Sequence, residues 1–133
     1  MTPPRKPHIT LTASDHEKLS MLAWAAENTM PDVAAILNEE LDRASVLGKG
    51  QHPQHVVSMG SELEFRDDTT GKVQTVTLVY PDEADISQGK ISVLTPVGTA
   101  LIGVHAGHSI TWNTRTGDLR RLTVLQVREP PLA

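Results

Sequence analysis

Apolar positions in the first third of the chain recur at helical spacing. Leu19, Leu22, Ala23 and Ala26 make one stripe, and Val33, Ile36, Leu37, Leu41, Ala44 and Leu47 make a second and longer one. Ser14-Asp15-His16-Glu17 before the first stripe has the form of a capping box and predicts a helix from about Asp15 to Glu27. Pro31 can open a helix but not sit inside one, and Gly48 closes the second stripe. The short connection between them makes the two helices antiparallel neighbours. After Lys49-Gly50-Gln51-His52-Pro53-Gln54, which has Gly and Pro but no apolar residue, the period changes to two. Leu63 and Phe65 alternate with Glu62, Glu64 and Arg66, and Val76, Leu78 and Tyr80 alternate with Thr75 and Thr77, so both segments read as half-buried strands. Asp67–Gly71 is a turn between them. Ile110 and Trp112 share a strand face, Thr114–Asp118 turns, and Leu119–Val127 is the last strand.

Gly89–Ile110 is the most structured stretch in local terms. Ile91–Leu94 predicts a short buried strand, Thr95 stands at a helix N-cap position, and Pro96 fits the first helical position. Val97, Ala100 and Leu101 form one face of a short helix that Gly103 stops, and Gly107 is free to take positive φ in the following turn. Gly98 suits a close backbone approach. The predicted architecture is α+β: a short N-terminal antiparallel helical hairpin followed by an antiparallel sheet domain with one short helix. Its divisions are residues 1–13 as a tail with a short extended segment, 14–48 as the hairpin, 49–54 as linker, 55–129 as the sheet domain and 130–133 as a second tail.

Composition narrows function by exclusion. A net charge of −4 over 133 residues argues against a broad phosphate-binding surface, so direct sequence-specific nucleic-acid binding is not expected. With no cysteine there is no thiolate metal site and no thiol nucleophile. No apolar run approaches the ~20 residues of a membrane span, and the N-terminus lacks the apolar core of a secretory signal, so a soluble cytoplasmic protein is expected. His52 and His55, and His105 and His108, are spaced i, i+3, yet neither pair has a carboxylate cluster beside it. No metal or cofactor is expected. The serines sit in no nucleophile motif, and Val97–Gly103 lacks the lysine of a phosphate loop.

Three features keep a functional reading beside a structural one. Glu27 and Asp32 stand at the hairpin tip, where carboxylates could present Mg²⁺ to a partner, although Asp32 also suits the positive end of the second helix. Trp24 lies off the first stripe and is either packed on the second half of the chain or offered to a partner. Glu83 and Asp85 are a charged docking site or, on turn chemistry, caps.

Glu83-Ala84-Asp85, Ile91-Ser92, Thr95-Pro96, Ala100-Leu101-Ile102-Gly103 and Gly107-His108 follow one another as the EAD, IS, SP, AL-G and GD elements do in the C-terminal domain of the Gre transcript-cleavage factors, which this half of the chain resembles. The shorter N-terminal half, with Leu37-Asn38-Glu39-Glu40-Leu41-Asp42-Arg43-Ala44, resembles the Rnk family, regulators of nucleoside diphosphate kinase. Thr95 stands for the usual Ser and keeps its hydroxyl; His108 stands for the usual acid. The resemblance implies an FKBP-like sheet domain and RNA polymerase as partner, bound beside its secondary channel, with Thr95, Pro96 and Val97 as the docking loop. DNA would be near only through the polymerase complex. Transcript cleavage in the Gre pattern needs a long coiled coil ending in paired acids. At ~1.5 Å per residue the second helix here reaches about 25 Å, and its tip has no D-x-x-E pair. A monomeric, non-enzymatic transcription regulator is therefore expected. The alternative is a cleavage factor acting through Glu27 and Asp32. A prolyl isomerase would need an aromatic-lined pocket, and one Phe, one Tyr and two Trp leave little to build it.

Overall fold

The computed structural model describes residues 9–48, 55–113 and 118–128. The expected tail at 1–8, the linker at 49–54 with His52, the residues 114–117 of the expected turn and the C-terminal prolines lie outside that range.

A short strand, β1 (Thr10–Thr12), leads directly into α1 (Ala13–Ala26), and after a tight turn α2 (Pro31–Arg43) runs back beside it. The helices bury Leu19, Ala23 and Ala26 against Ala34, Leu37 and Leu41; Ala34 lies outside the predicted second stripe, while Leu22, Val33 and Ile36 of the stripes are half-buried. Two expectations need correction. The cap of α1 is Thr12, not Ser14: Thr12 is extended at φ −71°, and its Oγ1 accepts from the Asp15 amide at 3.0 Å. The Asp15 side chain reaches across the chain and accepts from the Met59 amide at 3.2 Å. The second correction concerns α2, which ends at Arg43 and not near Gly48. Ala44 turns to extended geometry, and Ser45–Leu47 becomes β2, parallel to β1, with the Ser45 amide donating to the Ile9 carbonyl at 2.9 Å. Ala44 and Leu47 continue the helical period by coincidence, and pairing with β1 decides the conformation.

The second half builds a five-stranded sheet from β3 (Glu62–Asp67), β4 (Val73–Val79), β5 (Lys90–Ser92), β6 (Ser109–Asn113) and β7 (Leu119–Arg128), in the order β5-β4-β3-β7-β6. Pairings are antiparallel except for β5, which lies parallel to β4 because the Pro81–Gly89 crossover carries it back to start beside Thr77. The α+β class is as expected; the parallel edge is not visible in alternation alone. One helix, α3 (Pro96–Leu101), packs on β6 and on α2. Leu63, Leu78, Val93, Leu101, Ile102, Leu122 and Val124 fill the core together with the hairpin residues, so a single cluster joins both halves.

The cap assignment has a direct consequence. Thr12→Ala should cost about 1 kcal/mol in chemical denaturation, whereas Ser14→Ala should stay within about 0.5 kcal/mol. The reverse order would restore the capping-box reading.

Candidate functional site

The docking-loop candidate is held by its own hydroxyls. β5 ends at Ser92, whose Oγ accepts from the Leu94 amide at 3.0 Å, while Val93 and Leu94 turn inward and are buried. Thr95 caps α3 in both directions: its Oγ1 accepts from the Gly98 amide at 3.0 Å and donates to the Ser92 carbonyl at 2.7 Å. Thr99, fully buried, donates back to the Thr95 carbonyl at 3.1 Å. A Ser would supply the same Oγ, which is why Thr is compatible with an SP-type loop. Pro96 takes the first helical position, where its missing N–H removes nothing. Gly98 cannot be otherwise: a Cβ there would stand 2.2 Å from the Ser92 carbonyl oxygen and 2.9 Å from the Val93 Cα. Thr95, Pro96 and Val97 are each half-buried, and Val97 packs its side chain on the core. The shoulder is thus a rigid, partly apolar corner and not a free loop.

Pro96 also borders a cavity of about 240 Å³ that sequence reasoning did not anticipate. Its lining comes from α2 (Ile36, Glu39, Glu40, Arg43), α3 (Pro96, Ala100) and β6 with the start of β7 (Trp112, Leu119). Glu40 is 3% exposed and accepts from Arg43 Nε at 2.9 Å. The signal was present in the sequence. Glu40 falls on the apolar stripe of Leu37 and Leu41, and a carboxylate placed there needs a cation within reach.

Glu27 and Asp32 both lie exposed at the hairpin tip, Glu27 as the C-cap of α1 and Asp32 in the first turn of α2. Among the described residues no group of three or more His, Asp or Glu side chains is arranged to hold a metal ion. Trp24 is 75% exposed and Met21 is 68% exposed, so of its two readings the packed one is excluded. His105 and His108 lie with ring centroids 5.4 Å apart, and His105 Nε2 is 3.0 Å from Thr10 Oγ1. Of the acidic pair, Asp85 is a cap, accepting from the Ser87 amide at 3.1 Å, while Glu83 is exposed.

Tyr80 opens the acidic crossover, and its hydroxyl is buried with no hydrogen-bond partner among the described residues. Burial first, then the nearby charges of Asp15 and Glu83, push its phenol from 10.0 up to about 12. The folded state holds the proton more tightly than the unfolded chain. Its contribution to stability is therefore whole below pH 10.0 and is lost as pH rises through about 12. Tyr80 is the only tyrosine in the chain, so phenolate absorbance should report a midpoint near 12 in the native protein and near 10.0 after denaturation. Coincident midpoints would show the ring to be solvated. Gly98→Ala should lower stability by about 2 kcal/mol, a fall of at least about 5 °C in thermal midpoint, because backbone must move to admit the methyl group. An unchanged melting curve would contradict the close approach.

Comparison with known proteins agrees with this geometry. Residues 52–129 match the family described as "Transcription elongation factor, GreA/GreB, C-term", and residues 7–47 match "Rnk N-terminus". The chain is 36% identical over 128 residues to "Regulator of nucleoside diphosphate kinase" of Escherichia coli (strain K12), covering 96% of this chain and 94% of that one. It is 40% identical over 75 residues to "Transcription elongation factor GreA" of Thermodesulfovibrio yellowstonii, of which it spans only 48%. A solved structure, "Prokaryotic transcription elongation factor GreA/GreB from Nitrosomonas europaea", superposes with a TM-score of 0.71 at 35% identity, covering 93% of this chain and all of that one. The chain belongs to the Rnk family, in which an Rnk N-terminus precedes a GreA/GreB-type C-terminal domain.

Proposed function

We propose that this protein is a transcription regulator that docks on RNA polymerase beside the secondary channel through Thr95, Pro96 and Val97, and that it acts by occupying the site and not by catalysis. The observation that carries this reading is the Thr95 cap. It fixes a half-buried proline corner in the segment of the GreA/GreB-type domain that resembles the Gre SP loop. A surface held rigid before contact loses little entropy on binding. The hairpin supports the non-catalytic half of the proposal. Its helices have 14 and 13 residues, so at ~1.5 Å per residue each is only about 20 Å long. That length suits occlusion of a channel mouth better than delivery of Glu27 and Asp32 to a buried active site. Exposed Trp24 and Met21 on α1 would then face the polymerase as apolar contacts.

On this reading the protein is cytoplasmic, binds as a monomer and competes with Gre-type factors for one docking element. No helix among the described residues is long and apolar enough to cross a membrane.

Purified core polymerase should retain the native chain and retain the Pro96→Ala/Val97→Asp variant at least about tenfold more weakly, measured below the variant's own melting midpoint because Val97 also packs on the core. Equal retention of both would remove the docking assignment. In the same preparation, a stalled elongation complex should release no short 3′ RNA fragments on addition of the protein. Their release, abolished by Glu27→Gln/Asp32→Asn, would establish the cleavage-factor alternative instead.

A further inference from the structure

The edge of β6 that no described strand pairs with runs along the cavity beside Pro96. Among the described residues β6 is terminal in the sheet order and pairs with β7 alone. A bulge fixes which of its backbone groups face outward. Gly107, at φ 90°, donates to the Val124 carbonyl, and the Val124 amide donates to the His108 carbonyl at 3.0 Å. The alternation of an antiparallel ladder then makes Ile110–Leu122 and Trp112–Arg120 the exchanging pairs. Ser109 and Thr111 therefore turn their N–H and C=O groups away from β7. Thr111 itself lines the cavity, which continues over Trp112 and Ala100 to Ile36 and Glu39 of α2.

We propose that this groove binds an extended polypeptide segment of a partner protein, added antiparallel or parallel to β6, with aliphatic side chains toward Ile36, Ala100 and Trp112 and a basic side chain toward Glu39. Three observations select this occupant. An unpaired strand edge offers alternating donors and acceptors that only another extended backbone matches residue by residue. The cavity, at about 240 Å³, falls below the ~300 Å³ at which pockets begin to enclose drug-sized ligands, so it suits side chains whose backbone lies outside. The charge is also directional: Glu40 is tied to Arg43, whereas Glu39 is exposed on the groove wall. This mode of binding goes beyond docking at Thr95–Val97 and does not depend on which protein supplies the strand.

A synthetic heptapeptide with valine at positions 1, 3 and 5, lysine at position 7 and serine between them, blocked at both ends, sets all four side chains on one face of a strand and is a sufficient probe. It would be titrated into the full ¹⁵N-labelled chain carrying Trp24→Phe, which leaves Trp112 as the sole tryptophan. Saturable amide shifts confined to β6 and the Ile36–Arg43 side of α2, with slowed exchange at Thr111, are expected. The same peptide N-methylated at alternate backbone nitrogens should bind at least about tenfold more weakly, as should the native peptide to Thr111→Pro, while Thr111→Val stays within about twofold. Absence of saturable shifts at β6 up to millimolar peptide would overturn the proposal, and so would equal binding of the N-methylated peptide, which needs no variant to fold. The same shifts appearing when the chain alone is concentrated would assign the edge to a second copy and equally overturn it. These outcomes are separate from polymerase retention, which reports on Pro96 and Val97.

Discussion

Everything in this fold depends on a few residues at its N-terminal end. Ile9 and Leu11 are essentially without solvent exposure. Their backbone is shared between the two halves: the Ile9 carbonyl accepts from Ser45 beyond α2, and the Thr10 amide donates to the Gly103 carbonyl at the end of α3. Ile9 bridges Val104 as well. The segment is held so closely against the α3 exit that a Cβ on Gly103 would stand 2.8 Å from Ile9 Cβ. Two short helices with one seam cannot bury enough apolar surface to be stable alone. Threaded through β1, they share the core of the sheet domain.

That constraint links structure to function. With β1 fixed to Gly103 and Val104, α1 starts from the same point at which α3 ends, and α2 lies against α3. The hairpin, the Pro96 corner and the β6 edge become parts of one surface, positioned by the same buried residues. Asp15 adds a second tie by accepting from Met59. On the proposed function, occupancy of a docking site needs this kind of preorganisation, since a hinged hairpin would spend binding energy on ordering itself.

Much of this was legible in the sequence because it is local. The Thr95 cap, Pro96 at the first helical position, the crowding at Gly98 and the positive φ of Gly107 follow from residue chemistry within a few positions. The two helical stripes were equally plain. What was not legible depends on partners distant in the chain. Thr12 out-competes Ser14 as a cap because β1 delivers it already extended. Ser45–Leu47 abandons a helical period because Ile9 offers a strand to pair with. The parallel placement of β5 and the cavity between α2 and β6 are products of packing, and only the carboxylate of Glu40 on an apolar stripe hinted at the latter. The docking role proposed for Thr95–Val97 rests on resemblance to the Gre pattern, beside which the geometry sets a rigid corner.

Hairpin and sheet domain share one core and so present one rigid face. The chain has no cysteine, so spin labels placed at Glu27→Cys and Asp82→Cys, both exposed and both outside the docking corner, would be unique. Their distance distribution in the free protein reports that rigidity. A single narrow population that persists until global unfolding is predicted. A broad or two-component distribution under native conditions would mean that the hairpin swings free of the sheet domain, and would contradict the account.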